Sequence, residues 1–258
     1  MHPVVKNLLA RKGKSGPFSD NRRIALLLYG GLMSCVRSVG ALEHLQDLGL
    51  SQSFDDIYGV SAGYPIGASF AAGKIHDVGP VLDGKIDYDK FIHPWRFWNI
   101  MDTGYFVNRI REELPDLQEA ALAGQTRVHG RVVEKSSGQR QYLEMHEVGP
   151  ENFYPLMEAT IAVPALTIHP IKIGDKGYSD TNFIPYLAEH LQHVLLGPHT
   201  DIVVIYNFHL QRIKHISKTD RVLEIQPPNR WKLSHFERDA AMLQAARRQM
   251  RSFMEKFF

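Results

Sequence analysis

The run Ile24 to Tyr29 (IALLLY) is apolar at every position. That is the pattern of a central strand in a parallel sheet covered by helices on both faces. Gly30-Gly31 breaks it, and over 35–48 the apolar positions Val36, Val39, Leu42, Leu45 and Leu48 recur at helical spacing. Strand, glycine turn and helix open a βαβ unit. The same grammar follows at once. Asp56-Ile57-Tyr58-Gly59-Val60 predicts a short strand, Ser61-Ala62-Gly63 a turn, and the small apolar residues of 64–73 a closely packed helix. Residues 74–118 mix aromatic and charged side chains, with a helix predicted at 106–114. A hairpin is predicted over 126–145 (VHGRVVE and RQYLEM about Ser136-Ser137-Gly138), then a helix at 151–162 leading to Pro164. A short hairpin about Gly174 and Gly177, buried strands at 202–207 and 220–226, and a terminal helix at 237–257 complete the pattern. Helices and apolar strands alternate to the end, so residues 23–258 read as one α/β domain. The polar, basic stretch 1–22 contains Gly13, Gly16, Pro17 and Arg22 and reads as a flexible N-terminal arm.

Composition narrows the function classes. With 44 % hydrophobic and 22 % charged residues, the chain is an ordinary globular one, which excludes disorder, collagen and coiled coil. Its 30 basic and 28 acidic side chains give a formal charge of +2, too balanced for a nucleic-acid binder. The one cysteine, Cys35, allows no internal disulfide and no cysteine-ligated zinc. No apolar run has signal-peptide or membrane-spanning length, so the expected location is cytoplasmic, with peripheral contact at a membrane compatible with the weakly basic charge.

The sharpest chemical signal is Gly59-Val60-Ser61-Ala62-Gly63, a G-x-S-x-G nucleophile elbow between a predicted strand and a predicted helix. A serine on so tight a turn has close neighbours, and the two glycines leave room for them. The helix start then points at its hydroxyl. Phosphate-binding glycine patterns are absent, and His190-x-x-His193 is a bare pair without a third metal ligand. The serine needs a base. Of the 13 histidines, His190, His193, His199, His209, His215 and His235 lie downstream, and none has a context that singles it out. An α/β-hydrolase with a late catalytic histidine is therefore one open alternative.

Three motifs in order resemble the patatin-like phospholipases: the strand, glycine turn and helix at 24–45, the GVSAG elbow about thirty residues on, and ATIAVPALTIHPIKIGDKGYSDTNFIPY. In the last, Ala159, Ala162, Pro164, Pro170, Gly174, Gly177, Tyr178, Asp180 and Pro185 fall in the family's places. The resemblance spans roughly 24–210. It implies a three-layer patatin-type α/β fold with a largely parallel central sheet flanked by helices. It also implies a serine acyl hydrolase acting on phospholipid or lysophospholipid esters through a Ser–Asp dyad and an acyl-enzyme. Ser61 would be the nucleophile and Asp180 its base. Backbone N–H groups of Gly30, Gly31, Leu32 and Ala62 would hold the oxyanion. No metal or organic cofactor is called for, and calcium would be superfluous.

The chain departs from the family's G-G-G-x-R-G loop. Leu32 stands at the third glycine, Ser34 at the arginine and Cys35 at the last glycine. Arg37, one turn on, is a candidate for the arginine's role, and Asp180 is followed by Thr181-Asn182. A second alternative is accordingly a catalytically silent module of the same fold that binds lipid or protein. Two segments bear on lipid contact. His93-Pro94-Trp95-Arg96-Phe97-Trp98 combines indoles and a cation as at a membrane interface, while the apolar stripe of the terminal helix reads first as core packing.

Overall fold

The computed structural model describes residues 1–96, 99–181, 187–209 and 219–258. Its core is one sheet built from β1 (Ile24–Leu28), β2 (Asp56–Val60), β3 (Arg127–Glu134), β4 (Arg140–Glu144), β5 (Ile171–Ile173), β6 (Lys176–Ser179), β7 (Asp201–Ile205) and β8 (Val222–Ile225). The hydrogen-bonded path runs β5-β6-β3-β2-β1-β7-β8, with β4 also on β3. Strands β3, β2, β1, β7 and β8 are mutually parallel, and the β4 and β5–β6 pairings are antiparallel. β1, β2 and β7 are buried at every position, as the unbroken apolar run of β1 predicts, and β2 and β7 each bury an opening aspartate, Asp56 and Asp201.

Helices cover both faces. Ile24, Leu26 and Leu28 point into a core shared with α2 (Val36–Asp47), α3 (Gly63–Ala71), α8 (Phe153–Ile161) and α10 (Ala240–Met254). Ala25, Leu27 and Tyr29 point the other way, to Leu191 and Val194 of α9 (Leu187–Leu196). Between α3 and β3 the chain adds α4 (Ile75–Pro80), a π-turn at Val81–Lys85, α5 (Tyr88–Phe91), α6 (Thr103–Glu113) and α7 (Leu117–Ala123). α6 starts three residues earlier than its periodicity suggests because the Asp102 carboxylate caps it, accepting from the Tyr105 N–H at 2.9 Å. The terminal helix is core: Leu243, Ala246, Met250 and Met254 are buried on its α2-facing side.

The N-terminal stretch is not a loose arm. It opens with α1 (Pro3–Leu9), whose Val4, Val5 and Leu8 are fully buried. Arg11 is 1 % exposed and binds Asp20, Asp55 and the carbonyls of Ser53 and Arg22. The spacing of Val4, Val5 and Leu8 gives one apolar helical face, and burying Arg11 is tolerable only because every direction of its guanidinium meets an acceptor.

Candidate active site

Ser61 immediately follows the last residue of β2 and has a positive φ of 54°. For a serine this is a sparsely populated backbone conformation, costing about 1 kcal/mol or more. The surrounding chain enforces it. A Cβ on Gly59 would lie 2.3 Å from Tyr64 Cα, and one on Gly63 would lie 2.3 Å from the Leu28 carbonyl oxygen. α3 therefore doubles back against β2 and β1 so closely that only glycine fits on either side of the serine. Ala62 is the N-cap residue of α3, so the positive end of that helix faces the serine.

Asp180 immediately follows the last residue of β6, and strand register brings it to the same place. Arg131 pairs with Val60 of β2 and with Tyr142 of β4, so β2 and β4 lie on opposite sides of β3. Val133 pairs with Arg140 of β4 and with Ser179 of β6, so β6 lies on the side of β2. β2 and β6 thus run toward each other along one edge of β3, and only Val132 separates their last paired rows. At a rise of about 3.3 Å per residue their ends are about 7 Å apart. Ser61 and Asp180 are the next residue of each. They are 2 % and 1 % exposed, and the Asp180 N–H donates to the Ala162 carbonyl at 3.0 Å.

The glycine loop completes the constellation. A Cβ on Gly30 would lie 2.5 Å from Ser61 Cβ and 3.1 Å from the Ala62 nitrogen, so this glycine gives the elbow its room. Gly31 and Leu32 both have positive φ, 142° and 48°. Leu32 therefore holds a left-handed backbone conformation that favours glycine, at a cost in strain. The N–H groups of Gly31, Leu32 and Ala62 make no hydrogen bond to a described residue, whereas that of Met33 donates to the His235 carbonyl at 3.0 Å. The Gly30 N–H likewise has no described acceptor, so all four expected oxyanion donors, those of Gly30, Gly31, Leu32 and Ala62, are without a described partner.

A narrow apolar cavity adjoins the serine. Leu32, Met33, Cys35, Ser61, Ala62, Leu82, Phe91, Met101, Phe106 and Ile161 line about 20 Å³ of free space, room for about one water. A smaller void continues past Cys35 and Ala62 to Ile66, Val78 and Ile110. Burial pushes the Cys35 thiol up to about 12, so it is a neutral wall residue.

Several candidates lie elsewhere. His190 approaches the Tyr142 hydroxyl at 3.3 Å, His193 packs on Tyr142, and His199 binds the Asp56 carboxylate at 3.1 Å. Burial holds His190 down at about 3, so it stays neutral. His209 is exposed, and His215, Phe97, Trp98, Asn182 and Pro185 lie outside the described residues. No described histidine hydrogen-bonds Ser61. Arg37 is 3 % exposed and donates to the carbonyls of Asn207 (2.7 Å) and Trp231 (2.7 Å), so it ties backbone together. Among the described residues no group of three or more His, Cys, Asp or Glu could hold a metal ion. No described helix is long and apolar enough to cross a membrane.

Asn207 escaped the sequence reading, and His235 entered it only as one of six late histidines. Asn207 follows β7 and binds the carbonyls of Tyr29 and Gly30, and His235 binds that of Gly31. A polar residue closing an apolar strand at the carboxyl edge of a parallel sheet was a usable signal for Asn207. Nothing local marks His235.

The model of the patatin-like phospholipase family matches residues 26–184. No curated protein is significantly similar in sequence. Among solved structures, VipD from Legionella pneumophila aligns at 10 % identity with a TM-score of 0.48, covering 71 % of this chain and 50 % of that one. The type III effector ExoU aligns at 13 % identity with a TM-score of 0.44, covering 91 % of this chain and 53 % of that one. ExoU from Pseudomonas aeruginosa in complex with SpcU aligns at 12 % identity with a TM-score of 0.42. The chain spans about half the length of these proteins.

Proposed function

The chain belongs to the patatin-like phospholipase family, and from that premise we propose that it is a serine acyl hydrolase cleaving phospholipid or lysophospholipid esters through Ser61 and Asp180. Membership supports lipid-ester hydrolysis at the level of the family. The observation that carries the finer reading is the convergence of β2 and β6 on Val132, each ending one residue short of a proposed dyad member.

Ser61 Oγ attacks the ester carbonyl carbon while its proton passes to the Asp180 carboxylate. The carbonyl oxygen becomes an oxyanion, held by the N–H groups of Gly31, Leu32 and Ala62. Collapse breaks the bond to the leaving alcohol, which takes the proton back from Asp180. Water then attacks the acyl-Ser61 ester, yields a proton to Asp180, and the fatty acid departs as Ser61 recovers that proton. The apolar lining of the cavity beside Ser61 has the character that the start of an acyl chain requires. The surroundings of the site suit a lipid surface. Along the chain, exposed Trp95 (76 %) falls between the cavity-lining Phe91 and Met101, exposed Ile168 (46 %) lies two residues after Leu166, whose carbonyl accepts from the Met101 N–H, and exposed Phe236 (51 %) is the residue after His235.

Release of fatty acid from mixed anionic phospholipid vesicles, read by mass spectrometry, tests the proposal. Turnover by wild type and none by Ser61→Ala supports it. A second reading, a silent binding module, is favoured by Leu32 at a glycine position. Vesicle binding without turnover or active-site labelling in wild type would decide for that module.

A further inference from the structure

The glycine loop carries two donors of the proposed oxyanion hole on a backbone that its own sequence does not favour, since Leu32 stands at positive φ. Its carbonyls are nevertheless heavily bound. Asn207 Nδ2 donates to the Tyr29 carbonyl and, at 3.1 Å, to that of Gly30. The Asn207 amide is itself fixed, because its Oδ1 accepts from the Ser38 N–H at 2.9 Å and the Ser38 hydroxyl at 2.8 Å. The Ser38 N–H can only donate and the two loop carbonyls can only accept, so the amide has one orientation. Its backbone is held in turn by Arg37. The Gly31 carbonyl accepts from Ser34 Oγ (2.6 Å), His235 Nδ1 (2.9 Å) and the Ser34 N–H (3.1 Å).

In a planar trans peptide the carbonyl of one residue and the N–H of the next point in opposite directions. Fixing the Gly30 carbonyl therefore aims the Gly31 N–H, and fixing the Gly31 carbonyl aims the Leu32 N–H. The direction follows from the sheet. β1 lies between β7, which leads to Asn207, and β2, which leads to Ser61. A Gly30 carbonyl turned to the β7 side leaves the Gly31 N–H on the side of the nucleophile.

We infer that Asn207 and His235 are positioning residues that hold the Gly30 and Gly31 carbonyls so that the Gly31 and Leu32 N–H groups face the oxyanion. This inference rests on the acyl-hydrolase reading and deepens it. It also accounts for how the loop keeps its shape without the family's third glycine. Neither residue touches substrate. Their effect is felt where charge develops, in kcat, while ground-state binding is unaffected.

The test uses His235→Ala, His235→Asn and Asn207→Asp in the full chain, with two readouts. The first is ester turnover. His235→Ala should lower kcat about 10-fold or more, up to the about 100- to 1000-fold that losing an oxyanion donor costs, with KM within about twofold. His235→Asn, whose amide N–H2 can replace the Nδ1 donor, should recover most of it. Asn207→Asp, which sets a carboxylate against two carbonyls, should lose more. The second readout needs no activity: amide hydrogen exchange of a peptide covering 28–36 should quicken in His235→Ala and return toward wild type in His235→Asn. Unchanged exchange in His235→Ala overturns the inference, as does faster exchange with unchanged kcat. If wild type neither turns over ester nor takes an active-site label, the acyl-hydrolase reading falls, and the exchange experiment still judges whether His235 holds the loop. His235 is exposed, so its variants stay informative should the buried Asn207→Asp fail to fold.

Discussion

The five residues of β2 join two ends of the sheet with opposite characters. At its start the fully buried Asp56 carboxylate is surrounded by donors: Arg23 at 2.8 Å, Arg127 at 2.8 Å, His129 at 2.9 Å and His199 at 3.1 Å. Tyr58 stacks on the His129 ring, with centroids 4.4 Å apart. Arg11 performs a matching task beside it, binding Asp55 and Asp20. Just past the end of the same strand stand Ser61 and, across the sheet, Leu32, both at positive φ, with N–H groups that no described residue accepts. One end satisfies its polar groups; the other stores strain and leaves donors without a described acceptor beside a cavity. The contrast shows where a chain that is well packed elsewhere can hold an unfavourable backbone for chemistry.

Substitutions at the two ends should separate activity from stability. The largest effect is expected from Asp180→Asn, which should reduce ester turnover by about 100- to 10000-fold while leaving the melting temperature nearly unchanged. A fall of less than tenfold would remove Asp180 from the base role. Asp56→Ala should do the reverse, costing about 3–5 kcal/mol of unfolding free energy because Arg23, Arg127, His129 and His199 lose their shared acceptor, with kcat changed less than threefold. Denaturant titration and kinetics on the same sample compare the two.

The Asp56 end also predicts an acid response. Burial alone would raise this carboxyl, but hydrogen bonds from His129, His199 and Arg23 outweigh it and hold the group well below its ordinary 3.8. A depressed carboxyl stabilises the fold above its unfolded value and loses that contribution as pH falls through the folded value. Stability should therefore decline below about pH 4, and Asp56→Asn should flatten that decline. Deleting residues 1–22 should cost several kcal/mol, since it exposes the surface under Val4, Val5 and Leu8 and leaves Asp55 without Arg11. An unchanged denaturation midpoint would return that stretch to the status of an arm. The smallest effect belongs to Leu32→Gly. Relief of strain and the greater freedom of an unfolded glycine nearly cancel, so stability should stay within about 1 kcal/mol and turnover should be equal or higher.

How much of this was legible beforehand depended on range. The parallel strands announced themselves because burial on both faces demands unbroken apolar runs, as in Ile24 to Tyr29. The elbow was legible because steric crowding demands glycine at fixed offsets from Ser61. Asp180 became a candidate only through the family resemblance, because the register that ends β6 near the end of β2 depends on both strands pairing along β3, a relation between segments with no local imprint. The brace on the glycine loop was hidden for the same reason: Asn207 and His235 are 177 and 204 positions from the carbonyls they bind. The N-terminal arm was misread because glycine, proline and charge outweighed the short apolar spacing of Val4, Val5 and Leu8.

The central claim is that the hydroxyl at the end of β2 is made nucleophilic by the carboxylate at the end of β6. The most direct test is the rate and position of covalent modification by a fluorophosphonate, followed by intact mass and peptide mapping. The account predicts a single adduct on Ser61 in wild type, formed at least about 100-fold more slowly in Asp180→Asn. An adduct on another residue, or equal rates in the two proteins, would contradict it.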